Sequence, residues 1–468
     1  MNNSYKSLVK NIGYLTISNF ASKILVFLLV PLYTNVLSTE EYGSYDAIAT
    51  TVSLLAPFVI ANISDGVMRF LLDKSQSKDE VMSIGIKYVI IGIVLMGLLA
   101  ASNAYFHYAS FLNGYECLAF FYAAVYIINS FFTQCAKGLN QVSLMAKAGV
   151  MSTIAMIFFN VLFLLVFRLG ITGFFIAHIL ALLIPSLYYC AKIKPWHYFS
   201  FTGERKDVQK EMLSYSVPLI FNTIGWTINS SLDKYCVIYF YGVAASGILA
   251  VSYKIPTILS VIYSMFTQAW QISAVTEYEN KSRERFYSNT FSFVNALGCL
   301  CCAGLILINK PLAKFLFAKD FYQAWHYVPF LLVSVLFNQT AGFVGPLLSA
   351  KKESNAMAKA AAAGSLVNLV FNIVLIKILG IQGAAIATAI SSFVIYFVRW
   401  WYAKDLLENN IYIKIYISWL LVIVSAFAEI KNVQYIIQFA IIIGLLILNW
   451  KEYTKIIKNL PLGRKRHG

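Results

Sequence analysis

The stretch Leu169-Gly170-Ile171-Thr172-Gly173-Phe174-Phe175-Ile176-Ala177 returns 210 positions later as Leu379-Gly380-Ile381-Gln382-Gly383-Ala384-Ala385-Ile386-Ala387. The register extends on both sides. Met145-Ala146-Lys147-Ala148 recurs as Met357-Ala358-Lys359-Ala360 and Phe159-Asn160 as Phe371-Asn372, both at a spacing of 212. Near the start, Ile17, Lys23 and Val26 match Ile228, Lys234 and Val237 at a spacing of 211. One tetrapeptide recurs easily in a biased composition, but several in one register mark an internal duplication. A two-residue deletion in a loop or at a helix end accounts for the drift.

The duplicated material reads as membrane helix. The chain has 468 residues, of which 59% are hydrophobic and only 12% charged, and its mean hydropathy is +0.69. Soluble domains carry roughly 25% charge, and a bilayer span needs about 20 mostly apolar residues. A soluble enzyme, a disordered scaffold and a nucleic-acid-binding domain are excluded. Apolar stretches between polar breaks predict helices near 11–32, 43–64, 82–103, 115–135, 148–167 and 171–191. A second set follows near 213–240, 243–270, 287–308, 325–348, 360–379, 382–402, 411–430 and 432–450. The expected fold is all-α and polytopic, with about 14 transmembrane helices. The duplication maps the fifth helix onto the eleventh and the sixth onto the twelfth. Six is even, so the two halves share one orientation, a parallel repeat about an axis along the membrane normal. The domain reading is an N-terminal six-helix lobe at 1–191, a cytoplasmic linker at 192–212 and a second six-helix lobe at 213–404. Two further spans at 405–450 and a basic tail at 451–468 complete it.

The charge distribution predicts the topology. With the N-terminus inside, only six of the 37 basic residues fall in outer segments: Arg168, Lys310, Lys314, Lys319, Lys377 and Lys431. The rest lie on the cytoplasmic side or, for Lys23, Lys234 and Lys254, within spans, as the positive-inside rule requires. Both termini are expected in the cytoplasm. The net charge of +16 then reflects loops and a tail facing anionic lipid headgroups. Polar Thr16, Asn19 and Lys23 interrupt the first apolar run, which therefore does not read as a cleaved signal peptide. The seven cysteines and five histidines show no metal-ligand spacing, and no cofactor is expected.

Polar groups inside the spans are the candidate site. An ion at the bilayer centre costs roughly 2.5–3.5 kcal/mol on insertion scales, so it faces protein or water. Thr16, Asn19 and Lys23 share one face of the first helix, and Asn222, Trp226, Asn229 and Asp233 share one face of the seventh. Stripes on repeat-equivalent helices read as walls of one wet cavity, with Lys234 and Lys254 adding positive charge. The bland reading has these lysines snorkelling or pairing with an acid such as Asp46 or Asp233. Asp46 is read as a contact to a helix N-terminal dipole or an ion-coupling group. Arg69 serves as a loop anchor or a substrate contact, and Arg399 as a boundary charge. Pro57, Pro185, Pro218, Pro256, Pro329 and Pro346 fall within predicted spans, where proline kinks a helix.

Three segments carry a resemblance. Pro31-Leu32-Tyr33-Thr34, the run Leu37-Ser38-Thr39-Glu40-Glu41-Tyr42-Gly43-Ser44-Tyr45-Asp46, and Ile63-Ser64-Asp65-Gly66-Val67-Met68-Arg69-Phe70 resemble the N-terminal signature of Wzx-like polysaccharide flippases. Tyr253-Lys254-Ile255-Pro256 and Gln268-Ala269-Trp270-Gln271-Ile272-Ser273-Ala274 resemble the same family. The Leu-Gly-Ile-x-Gly repeat is typical of the wider multidrug/oligosaccharidyl-lipid/polysaccharide exporter superfamily. The resemblance implies transfer of undecaprenyl-diphosphate-linked oligosaccharide units of O-antigen or capsule from the cytoplasmic to the outer leaflet of a bacterial plasma membrane. It implies membrane lipids and polysaccharide polymerase machinery as partners, with a proton or sodium gradient as the driving force. Lys23, Lys234 and Lys254 are then expected to hold the diphosphate by alternating access through a cationic cavity between the lobes.

Rival functions stay open. A multidrug extruder of the same fold wants acids in its cavities, yet residues 11–34 hold no Asp or Glu. A membrane-bound polymerase or ligase wants a large outer loop with catalytic groups. The longest stretch between spans, 192–212, is cytoplasmic and shows no nucleophile–base pair. The lipid II flippase itself fits the N-terminal signature less well.

Overall fold

The computed structural model describes residues 25–73, 77–198, 206–431 and 435–459; the side chains of 221–230, 354 and 455–459 lie outside that description. Among the described residues all regular structure is helical. Ten of these helices are long and apolar enough to cross a membrane, eleven when one bent pair is taken together. Described apolar helices Leu25–Val36 and Tyr435–Leu448 overlap the expected spans near 11–32 and 432–450, of which residues 11–24 and 432–434 lie outside the described residues. Asn19 and Lys23 lie outside the described residues.

The chain forms two compact units, Met1–Gly247 with Ala318–Asp320, and Ile248–Phe317 with Phe321–Gly468. The first contains α1 (Val30–Val36), α2 (Thr39–Val59), α3 (Ile63–Leu71), α4 (Lys78–Phe106), α5 (Glu116–Gly138), α6 (Val142–Asn160), α7 (Gly170–Ile193), α8 (Lys206–Tyr241) and the start of α9 (Val243–Ser252). The second unit holds α10 (Lys254–Thr276), α11 (Arg283–Leu307), α12 (Asn309–Leu316), α13 (Val328–Ala350), α14 (Ser354–Leu379), α15 (Ile381–Ala403), α16 (Tyr412–Ile430), α17 (Tyr435–Leu448) and α18 (Trp450–Asn459). Helix α8, first of the second repeat, packs in this structure on α2 and α3.

The predicted span 43–64 is a broken helix with clear local causes. A capping box starts α2: the Ser38 hydroxyl accepts from the Glu41 amide at 3.1 Å, and the Ser38 amide donates to the Glu41 carboxylate at 2.7 Å. Pro57 lies in its last turn, and Ala61 and Asn62 then take φ of 50° and 49°. The axis turns by 61° into α3. Asn62 steadies the break by donating to Asp65 at 3.0 Å, and Gln134 of α5 donates to the other Asp65 oxygen. Of the six prolines expected to kink spans, Pro329 and Pro256 instead sit in the first turns of α13 and α10. No intrahelical donor is lost there.

The sequence repeat is also a structural one. Within each unit a helical hairpin turns at a glycine of positive φ, Gly170 (56°) between α6 and α7 and Gly380 (64°) between α14 and α15. Three residues later a Cβ would meet neighbouring atoms, the Leu169 and Phe163 side chains at Gly173 and the Leu375 carbonyl at Gly383. Asn160 and Asn372 are both buried, and each donates to the carbonyl four residues earlier, at 2.7 and 2.9 Å. The two extra residues of the first hairpin fall where Val161–Val166 widens into a π-helix, while α14 stays α-helical to Leu379. An insertion absorbed as a π-turn keeps the flanking faces in register.

Close backbone approach joins α2 to α9. A Cβ on Gly43 would collide with the Val243 carbonyl oxygen, and one on Gly247 with that of Thr39. Gly43→Ala and Gly247→Ala should each destabilise the protein by about 1–3 kcal/mol through overpacking. Gly149→Ala, where nothing lies within 4 Å, should be neutral. Thermal unfolding in detergent checks this, and equal melting of the variants would remove the crossing from the account.

Candidate functional site: a charge pair between α2 and α8

The glycine crossing places one face of α2 beside α8. One helical turn beyond Tyr42, Asp46 points at Lys234, with Asp46 Oδ2 2.7 Å from Lys234 Nζ and each side chain less than one fifth exposed. Lys234 Nζ also lies 3.5 Å from the Thr50 hydroxyl, four residues along the same face. Beside it the Thr51 and Tyr235 hydroxyls share a hydrogen bond of 2.9 Å. Asp233 is buried and accepts from the Lys234 amide at 2.9 Å. A second close approach, Gly66 of α3 against the Ser216 hydroxyl, holds α8 lower down. Removing either ion alone would leave the other under-solvated, and that penalty exceeds what the pair itself contributes.

Pairing is therefore the structural use of Lys234. Asp46 makes no N-terminal dipole contact: it lies in the second turn of α2, and Glu40 and Glu41 occupy the first. These two acids also act on Tyr115, whose phenol is raised by burial first and then by their charge. The motif aromatics are core. Tyr33 and Tyr42 stack at 4.9 Å, and Tyr45 packs edge-on to Phe174 at 4.6 Å, all four rings buried.

The other candidates are dispersed. Exposed Arg69 borders a cleft of about 640 Å³ between α3 and α8, lined also by Asp73, Asp207, Lys210, Glu211 and Tyr215. Two basic and three acidic groups make this cleft mixed in sign. Asn222, Trp226 and Asn229 lie on α8, with their side chains outside the described ones. In the second unit Lys254 is half-buried and opens α10. The Gln268–Ala274 segment anchors that helix: Trp270 Nε1 donates to the Phe343 carbonyl at 2.8 Å and the two rings stack at 4.2 Å.

Arg399, expected as a boundary charge, lies in the last turns of α15 and is buried against α13. It is 7% exposed, and its Nη1 donates to the Ala341 carbonyl of α13 at 2.8 Å. Gly345 leaves the room, since a Cβ there would stand 3.3 Å from Nη1. The sequence reading missed Thr50, Thr51 and Tyr235 as neighbours of the charge pair. Their spacing from Asp46 and Lys234 was the available signal.

A double-mutant cycle on Asp46→Asn and Lys234→Met should give a coupling of about 0.5–3 kcal/mol, read from unfolding in detergent. Strictly additive effects would show that the pair contributes nothing.

Comparison with known proteins places this geometry. The chain is 21% identical to an uncharacterized membrane protein of Methanocaldococcus jannaschii over 92% of this chain and 90% of that one. It is 22% identical, over 39% of each chain, to a probable low-salt glycan biosynthesis flippase of Haloferax volcanii. Among solved structures, the lipid II flippase in an inward-closed conformation superposes with a TM-score of 0.70 at 17% identity, covering 94% of this chain and 99% of that one. This is a multi-pass membrane protein with that fold. The sequence model of the family described as "Polysaccharide biosynthesis protein" matches residues 8–271, and the chain belongs to that family.

Proposed function

We propose that the protein is a flippase. It moves undecaprenyl-diphosphate-linked oligosaccharide repeat units from the cytoplasmic to the outer leaflet of a bacterial plasma membrane, for O-antigen, capsule or exopolysaccharide synthesis. The observation that carries this reading is the family match over residues 8–271 on a polytopic chain. Both termini face the cytoplasm, and polysaccharide polymerase machinery takes up the delivered unit.

The cargo combines an anionic diphosphate with a glycan that hydrocarbon excludes, so cationic groups must meet it within the membrane. Lys23 and Lys254 supply that charge. Lys234 is neutralised by Asp46 at 2.7 Å, so it engages the diphosphate only when the pair opens. Asp46, with neighbouring Asp233, is then free to take a proton or sodium ion. In this way cargo and gradient exchange at one pair. Asn19, Asn222, Asn229 and Trp226 contact the glycan, and Arg69 makes a first contact at the cytoplasmic cleft.

Deleting the gene in its native host, with a membrane-impermeant glycosidase applied to spheroplasts and inverted vesicles, tests the reading. Lipid-linked glycan should accumulate on the cytoplasmic face and surface polymer should be lost. Outward-facing but unpolymerised units would instead identify an enzyme. Lys254→Ala should lower export about tenfold, the worth of one charged hydrogen bond, at unchanged membrane abundance. Lys254→Arg should be milder, and wild-type export by Lys254→Ala would remove that residue from the mechanism.

A further inference from the structure

The two helices beyond the repeat carry polar groups that the account above leaves unused. Lys414, Ser418, Ser425 and Glu429 recur along one face of α16. Ser425 bonds Gln438 of α17, Ser418 accepts from Asn449 at 3.1 Å, and Lys414 pairs with Glu452 of α18 at 2.5 Å. Three rungs of this ladder join neutral groups or a tight ion pair. The fourth is built differently.

Glu429, at the end of α16, is 2% exposed, and its Oε1 accepts no hydrogen bond. Its charged neighbour is Lys310 of α12, whose Nζ stands 3.9 Å from Oε1, beyond hydrogen-bond length. That ammonium lies over the Trp325 ring at 4.6 Å. Asn309, which precedes Lys310 on α12, is fully buried. Asn309 Nδ2 donates to the Trp325 carbonyl at 2.8 Å, which fixes the amide orientation, because a flip would set oxygen against oxygen. Asn309 Oδ1 is then a second buried acceptor without a donor. His326 stacks on Trp325 at 3.7 Å, and burial first and then Lys310 push its imidazole below the usual range. The cluster is rich in acceptors and short of a donor, and an orphaned buried acceptor costs about 1–3 kcal/mol.

From this cluster we infer that Glu429 is a proton-binding site, taking one proton from solution as its carboxylate becomes a carboxylic acid. The new O–H supplies the missing donor. A metal cation is disfavoured because the Lys310 ammonium already stands at that distance. The C-terminal pair is thereby an ion-responsive element. The inference stands on this cluster alone and its test uses no cargo, so its failure would leave the flippase reading intact.

Infrared titration of the full chain in lipid nanodiscs reads the proton directly, through the carbonyl stretch of a neutral carboxylic acid. Wild type should show such a band titrating with pH, and Glu429→Gln, which keeps the shape of the neutral acid, should lose it. Lys310→Met removes the nearby cation and should raise the midpoint by about one pH unit or more. An unchanged band in Glu429→Gln would overturn the proposal. So would an unmoved midpoint in Lys310→Met, which also serves if the glutamine variant does not fold.

Discussion

Helices surrounded by hydrocarbon gain little from burying leucine against leucine, so their crossings depend on close van der Waals approach at small residues. Here that constraint acts at Gly43 and Gly247, where each missing side chain admits the carbonyl of the other helix. The consequence reaches beyond packing. Three residues beyond Gly43 on α2, Asp46 meets Lys234 of α8. The charge pair with Lys234 is thus an outcome of a backbone crossing. Tyr42 and Tyr45, on either side of Gly43, pack with Tyr33 and Phe174.

Ions held away from water in the described residues meet the low dielectric in different ways. Asp46 and Lys234 neutralise one another at 2.7 Å. Arg399 has no acid beside it and instead uses the Ala341 carbonyl, a dipole exposed to it because Gly345 lacks a side chain. Glu429 has a cation too distant for a hydrogen bond. A pair held tightly by two helices changes state when the helices separate, whereas a loosely held carboxyl changes state when a proton arrives.

Much of the fold was legible because hydropathy and helix length are local properties. The predicted spans from 82 to 191 and from 287 to 430 all fall on described helices. The duplication was legible too, since Gly170 and Gly380 must turn and Asn160 and Asn372 each donate to a carbonyl of their own helix. The π-turn at Val161–Val166 was visible only as a slip of two in the register. The break at Ile60–Asn62 was not legible, because an apolar run bends as readily as it continues. The setting of Arg399 was not legible for a related reason: it depends on a glycine 54 positions away on another helix.

The sequence by itself determined a polytopic all-helical chain, an internal duplication and membership of a polysaccharide export group. These follow from composition, periodicity and motif, which survive without knowledge of contacts. It also named Asp46 as one of two acids that Lys234 could reach. Only the tertiary structure decided between Asp46 and Asp233, because the choice rests on which helix α8 lies against. It likewise left Glu429 Oε1 without a donor, since an unmet hydrogen bond is a property of a surrounding and cannot be read from the residue that has it.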